Sequence, residues 1–236
     1  MFLRESHCLR DQAGEKILSL MKDHGGFIAG GAVTSVFCSS HINDFDLFFP
    51  DKAALEKAIA VDFMQAAKKD GKTVETDSAL SLMVDNHRLQ LIKAVMGTPE
   101  EIINDFDFTI CQGAFHLERG FIFNDDFFQH LAQRRLVFNI HAKFPICSLY
   151  RTRKFIKRGF SLSGIEAIKL GLCIQALRLD TYKDLRAQLM GIDTLFLKDL
   201  TDSLRGEEER KFDLNEFLAT LDRWLVRLDA MTGAEE

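Results

Sequence analysis

Cysteine and proline are scarce in this chain. Five cysteines occur among 236 residues, an odd number, and none belongs to a Cys-x-x-Cys pair. This usage excludes a disulfide-rich scaffold and a zinc ribbon, and it indicates a reducing compartment. Only three prolines are present, and no stretch rich in proline, glycine and serine separates one part of the chain from another. Any two domains are therefore expected to pack closely.

Long apolar segments are also missing. The longest mainly apolar run, Phe27 to Phe37, contains a glycine pair and is too short to cross a bilayer. The first ten residues carry Arg4, Glu5 and Arg10, so they form no apolar signal core. We therefore expect a cytoplasmic protein with no membrane partner.

Positive charge is not in excess, since the formal net charge is −5. A protein that binds nucleic acid over its whole surface is usually basic, so any contact with a polynucleotide must come from a local patch. Tryptophan (1) and tyrosine (2) are rare, whereas phenylalanine (21) is abundant. Hydrophobic residues make up 47% of the chain, enough for one full core or for one large and one small domain.

The most informative stretch is a glycine pair followed by an acidic strand. Asp44–Phe49 is predicted to be a strand, and residues two apart on a strand point to the same face. Asp44 and Asp46 therefore project together. Two neighbouring carboxylates repel unless a cation neutralises them, and oxygen ligands of this kind suit Mg²⁺ or Mn²⁺.

The glycine pair, Gly30-Gly31, lies between an apolar strand and a short helix. Glycines let the backbone approach a ligand closely, and free N–H groups at the start of a helix favour a phosphate. A hydroxyl of Thr34 or Ser35 could add a contact to that phosphate. The alternative interpretation is a simple turn from strand to helix.

Gly30-Gly31 followed by Asp44-x-Asp46 resembles the signature of the DNA polymerase β nucleotidyltransferase superfamily. That group includes tRNA CCA-adding enzymes, poly(A) polymerases, aminoglycoside nucleotidyltransferases and nucleotidyltransferase toxins and antitoxins. The sequence departs from the common pattern at Ala32, where many members have a serine.

The resemblance implies a third carboxylate on a later strand. The candidate is Asp107, in a segment predicted to be a strand from Asp107 to Phe115. Asp105 is the alternative, because it shares the same face. We prefer Asp107 because the strand that follows would hold it rigidly. It would bind the metal and could act as general base on the incoming hydroxyl.

The resemblance also implies a fold of the α/β (α+β) class. A mixed-sheet nucleotidyltransferase head is expected over residues 1–142, followed by a helical domain over 143–236. Within the head, Asp85-Asn86 predicts the turn of a hairpin. From Pro145 onward the pattern is helical, with one of the predicted helices over 194–203.

A helix predicted over Ile146–Arg158 carries the best basic feature. Arg151 and Lys154 lie on its charged half. Its other half carries Leu149, Thr152, Phe155 and Ile156. By the resemblance, a basic residue of this helix contacts the triphosphate or an RNA backbone, and Arg151 and Lys154 are the candidates. A solvated helix face is the alternative.

Together these features predict a metal-dependent nucleotidyltransferase that moves NMP from an NTP to an acceptor hydroxyl. Asp44, Asp46 and Asp107 would hold the metal. The first choice of acceptor is an RNA 3′ end, in particular that of tRNA. The alternatives are a protein hydroxyl (AMPylation), a small molecule such as an aminoglycoside, and a non-catalytic toxin–antitoxin component that only binds nucleotide.

Overall fold

A computed structural model describes residues 2–60, 73–76, 78–84, 87–189 and 206–232. The chain divides into two compact units, Met1–Gln175 and Ala176–Glu236. The turn predicted at 85–86 and the helix predicted over 194–203 lie outside these described ranges. None of the described helices is long and apolar enough to cross a membrane.

A seven-stranded mixed sheet forms the centre of the first unit. Its strands lie in the order β3-β4-β5-β2-β1-β6-β7, and β2 and β5 run parallel while the other neighbours run antiparallel. The strands are β1 Phe27–Ala29, β2 Asp44–Phe48, β3 Val74–Glu75, β4 Ala79–Val84, β5 His87–Ile92, β6 Gly113–His116 and β7 Gly120–Phe123. The predicted mixed α/β architecture is confirmed.

Strand β2 separates two apolar clusters, one on each face of the sheet. Phe45 and Leu47 point into the larger cluster with residues of α1 (Leu3–His24), α2 (Gly31–Phe37) and α3 (Lys52–Ala58). Phe48 points into a smaller cluster on the opposite face. Asp44 and Asp46 alternate with Phe45 and Leu47, so they share the face of Phe48.

Helix α4 (Pro99–Asn104) covers the face of the sheet that carries the two aspartates. Its start is fixed by a capping box, in which Thr98 and Glu101 satisfy each other's backbone N–H groups, and Pro99 is the first helical residue. Ile102 and Ile103 are buried in the same cluster as Phe48. This packing places the residues that follow α4 next to the end of β2.

The strand predicted from Asp107 to Phe115 is wrong. Residues Thr109–Cys111 form a 3₁₀ turn, and the strand begins only at Gly113. The backbone here bonds to a distant segment, because the N–H of Thr109 donates to the carbonyl of Val137 at 3.1 Å. Phe108, Ile110 and Cys111 are all buried, so the alternation of polar and apolar residues imitates a strand without forming one.

Two helices beyond residue 142 belong to the first unit. After α5 (Phe127–Ala132), the chain forms α6 (Pro145–Lys157) and α7 (Gly164–Gln175). Phe155 of α6 packs edge-on against Phe108, with ring centroids 5.7 Å apart. Glu166 of α7 accepts a hydrogen bond from the N–H of Phe138 at 2.8 Å. These contacts explain why the first compact unit continues to Gln175. The predicted division into domains at 142/143 stays a prediction.

The second unit is helical in the residues that the structure describes, apart from short connections. It contains α8 (Tyr182–Leu189) and α9 (Leu214–Thr232). Thr181 and Lys211 form a single β-bridge. The guanidinium of Arg210 lies 4.9 Å from the centroid of the Tyr182 ring, a distance typical of a cation–π contact.

Candidate functional site

The predicted acids lie at the junction of β2 and the segment after α4. Asp44 and Asp46 are half-buried on β2, and Asp44 is the register partner of Arg88 on the neighbouring strand. Oδ1 of Asp46 is buried. Asp107 follows α4, and only 7% of its side chain is exposed. Asp107 pairs directly with one cation, Arg151, and the charge of Asp46 also acts on it.

Arg151 of α6 is the direct partner of Asp107. Its Nη1 lies 3.1 Å from Oδ2 of Asp107. The other oxygen of this carboxylate, Oδ1, is buried and has no hydrogen-bond partner among the described residues. Buried polar atoms are nearly always hydrogen-bonded, so an orphaned carboxylate oxygen marks a position where a ligand can bind.

The charges around Arg151 keep it protonated. Desolvation of the guanidinium works to lower the pKa of Arg151, but the negative charges of Asp107 and, more weakly, Asp46 outweigh it, and the pKa is raised. Two carboxylates on separate elements therefore act on one guanidinium. Such an arrangement offsets the repulsion that the two acids would otherwise feel.

Asp105 points elsewhere. It forms an ion pair with Lys143, and 46% of its side chain is exposed. The structure therefore separates the two alternatives for the third acid, since Asp107 faces Arg151 from a buried position and Asp105 lies at the surface. The catalytic role of Asp107 stays a prediction.

A three-carboxylate metal site is not assembled among the described residues, where no three His, Cys, Asp or Glu side chains are placed to hold one ion. Mg²⁺ is commonly held by one or two carboxylates together with substrate phosphates. Asp46 and Asp107 have this donor chemistry, and each has a buried Oδ1. A two-carboxylate site that is completed by a nucleotide therefore fits these residues. The metal roles of Asp44, Asp46 and Asp107 stay predictions.

The two glycines of the pair differ in their surroundings. Gly30 has a φ of 81°, and its N–H donates to the carbonyl of Gly113 at 2.9 Å. A Cβ on Gly30 would lie 3.3 Å from the Phe106 ring, whereas a Cβ on Gly31 would meet nothing within 4 Å. Gly30 is thus required by the backbone, and Gly31 faces open space.

We expect Gly30→Ala to lower the free energy of unfolding by about 2 kcal/mol, because a side chain is strained at this φ and crowds Phe106. Gly31→Ala is the matched control and should change it by less than about 0.5 kcal/mol. Urea denaturation of both variants measures the difference. Equal effects would contradict the strain at Gly30.

The hydroxyls of Thr34 and Ser35 make hydrogen bonds within the protein. The buried hydroxyl of Thr34 donates to the carbonyl of Ile110 at 2.6 Å. Oγ of Ser35, also buried, accepts a hydrogen bond from Arg158 at 3.0 Å. The same Arg158 nitrogen donates to Ser40 at 2.9 Å. These hydroxyls hold α2 in place, and the predicted phosphate contacts are not favoured by this geometry.

The buried face of α6 differs from the predicted one. Thr152 and Phe155 of the predicted apolar half are buried, whereas Leu149 and Ile156 are half-exposed, so the prediction is wrong for these two. Ser148 is buried as well, and the hydroxyls of Ser148 and Thr152 donate to carbonyls of the preceding turn. Arg151 lies next to this buried face, and Lys154 is exposed to solvent.

Burial raises the pKa of the Cys111 thiol to about 12, and that of Cys147 to about 11. The folded protein therefore holds these protons more tightly than the unfolded chain, whose thiols ionise near 9.0. Their contribution to stability is complete below pH 9 and is lost as the pH rises toward 12.

The free energy of unfolding should consequently fall between pH 9 and 11 by about 1.4 kcal/mol per pH unit for each buried thiol. Cys111→Ala should remove the contribution of one thiol to this pH dependence. Denaturation at several pH values measures the slope. A slope that is identical in the variant would contradict the burial of an un-ionised Cys111.

Comparison with known proteins identifies relatives of two kinds. A profile of the family described as Gabija anti-defense 2 family protein matches residues 3–134. The Gabija anti-defense 2 protein of Bacillus phage SPbetaL7 is 32% identical over 217 residues, which are 90% of this chain and 52% of that protein. The chain thus spans about half the length of this relative.

Solved structures with a similar fold include tRNA-processing enzymes. The Thermotoga maritima CCA-adding enzyme complexed with tRNA gives a TM-score of 0.51 at 19% identity, over 84% of this chain and 54% of that chain. A CCA-adding enzyme in complex with ATP gives 0.53 at 20%, over 77% and 49%. A tRNA-processing enzyme in an apo form gives 0.52 at 18%, over 91% and 67%.

At these identities the structural likeness establishes the fold alone. The seven-stranded mixed sheet with its flanking helices resembles the head of the CCA-adding enzymes. The family assignment rests on the sequence comparison, because the profile covers more than half of the chain. This chain belongs to the Gabija anti-defense 2 (Gad2) family.

Proposed function

We propose that this protein is a metal-dependent nucleotidyltransferase whose activity serves to counter the Gabija defence. The observation that carries the proposal is the ion pair of Asp107 with Arg151, whose guanidinium also feels the charge of Asp46, in a nucleotidyltransferase-like fold. Two acids suited to a divalent cation, next to a cation suited to phosphate, match the needs of nucleotidyl transfer.

Asp46 and Asp107 would hold Mg²⁺, with Asp44 beside them on β2. The ion, when bound, neutralises the triphosphate and supports pyrophosphate as it leaves. Arg151 and the exposed Lys154 would bind phosphate oxygens, Arg151 with the planar geometry that favours paired hydrogen bonds. Gly31, with open space beside it, leaves the backbone free to approach the same phosphates.

The reaction joins an acceptor oxygen to the α-phosphorus and breaks the bond between that phosphorus and the oxygen bridging to the β-phosphate. Pyrophosphate carries away the electron pair of the broken bond. The proton of the acceptor hydroxyl goes to Asp107, whose buried Oδ1 has no other described partner. NMP remains attached to the acceptor.

Membership of the Gad2 family supports a component of the Gabija defence as the acceptor. The group modified there would be a protein hydroxyl. A second candidate is an RNA 3′ end, which is supported by the likeness to a CCA-adding enzyme complexed with tRNA. For that acceptor, the solvent-facing Lys154 would contact the RNA backbone.

The test uses each α-labelled NTP with Mg²⁺, first with purified Gabija proteins and then with total tRNA. Label on protein supports the first acceptor, and label on RNA supports the second. Asp46→Ala should abolish either label while leaving the circular dichroism spectrum unchanged. Nucleotide binding without release of pyrophosphate under any condition would overturn the enzymatic proposal and leave a binding protein.

A further inference from the structure

Arg151 places a positive charge next to the carboxylates that are proposed to hold a metal ion. Its guanidinium is 3.1 Å from Asp107, and its side chain is 36% exposed, so it is reachable from solvent. It also stacks over Phe155, with 5.9 Å between the guanidinium carbon and the ring centroid. The helix that carries it is anchored by Phe155 in the core. Arg151 is therefore a positive charge tethered at the site rather than a diffusible counter-ion.

The tethered guanidinium of Arg151 and a free divalent cation compete for the carboxylate of Asp107. Before Mg²⁺ can use Oδ2 of Asp107, the guanidinium must give up that oxygen, and two positive charges must share a small, partly buried space. In such a space, where water screens charges weakly, the repulsion between a guanidinium and a divalent ion is strong. A bare divalent ion therefore meets an unfavourable site.

A metal–triphosphate complex changes this balance. Its phosphate oxygens supply anions for the displaced guanidinium, and charge-assisted pairs of arginine with phosphate are among the strongest polar contacts. The exchange replaces one partner of Arg151 with another, so neither the guanidinium nor the carboxylate is left unpaired.

We propose that Arg151 makes the site selective for a metal–nucleoside triphosphate complex over the bare divalent cation. The inference rests on the proposed function, since it assigns the metal to Asp46 and Asp107. Arg151 is thus a specificity-determining residue. It blocks the empty acidic site and binds phosphate in the loaded one.

The test measures two affinities in the same full-length proteins. Binding of bare Mn²⁺ is followed by electron paramagnetic resonance, and binding of Mn²⁺ with a nucleoside triphosphate that cannot be cleaved between its α- and β-phosphates is followed by calorimetry. Arg151→Met should bind bare Mn²⁺ at least tenfold more tightly and the metal–nucleotide complex about tenfold more weakly. Arg153→Met, an exposed change on the same helix, is the control and should alter neither affinity.

Opposite shifts are the signature of the proposal, because a merely damaged fold would weaken both ligands. Arg151→Lys keeps the charge and should keep bare Mn²⁺ binding near that of the unchanged protein. Weaker or unchanged binding of bare Mn²⁺ to Arg151→Met would overturn the inference, even if transfer activity is found. Opposite shifts in a protein that transfers no nucleotide would uphold the inference and reject the enzymatic proposal.

Discussion

Asp107→Asn should lower nucleotidyl transfer by about a thousandfold, which corresponds to roughly 4 kcal/mol of transition-state stabilisation. Asparagine can still accept a hydrogen bond from Arg151, so the fold should persist. It cannot take up the acceptor's proton, and as a neutral ligand it holds a divalent cation poorly. The rate of pyrophosphate release at saturating NTP measures the loss.

The matched control is Asp105→Asn, two residues away in the same segment. Asp105 lies at the surface and pairs with Lys143, so its loss should change the rate by less than about twofold. If the two variants lose activity equally, the buried acid has no special role. If Asp107→Asn retains full activity, the carboxylate pair does not form the catalytic centre.

Phe155→Ala should lower the free energy of unfolding by about 3–5 kcal/mol, the range for removing a buried phenylalanine. The side chain is 2% exposed and makes edge-on contacts with Phe108 and Phe160. Its loss would leave a cavity at the place where α6 packs on the segment that carries Asp107. Urea denaturation followed by circular dichroism gives the change.

Ile156→Ala is the control for this prediction. Ile156 is the next residue of the same helix, but it is 51% exposed, and its truncation should cost less than about 1 kcal/mol. Similar losses from the two variants would mean that α6 does not pack against the head through Phe155. The domain boundary predicted from the sequence at 142/143 would then describe the chain better than the end of the first compact unit at Gln175.

The sheet and the acidic strand could be predicted because their signals are local. In β2, Asp44 and Asp46 alternate with Phe45 and Leu47. This alternation alone shows which residues share a face of the strand. Thr98 and Glu101 likewise mark the start of α4 by their spacing alone. The segment after Asp107 has the same alternation, but its backbone pairs with Val137, and no local signal encodes that distant partner.

The inner face of α6 could not be predicted from polarity for a similar reason. A helical wheel assigns Leu149 and Ile156 to the apolar half, whereas both are half-exposed in the structure. The polar Ser148 is buried, because its hydroxyl bonds to a nearby carbonyl. The pairing of Arg151 with Asp107 depends on how α6 packs on the head. The sequence identified both residues as candidates but gave no sign that they touch.

Helix α6 contacts the head at two points, two turns apart. Arg151 contacts Asp107, and Arg158, just beyond the last turn, donates to Ser35 of α2 and to Ser40 just after it. A rigid-body shift of α6 at one of these points would also move the other. Any such shift on substrate entry would therefore reach the segment that starts at the glycine pair.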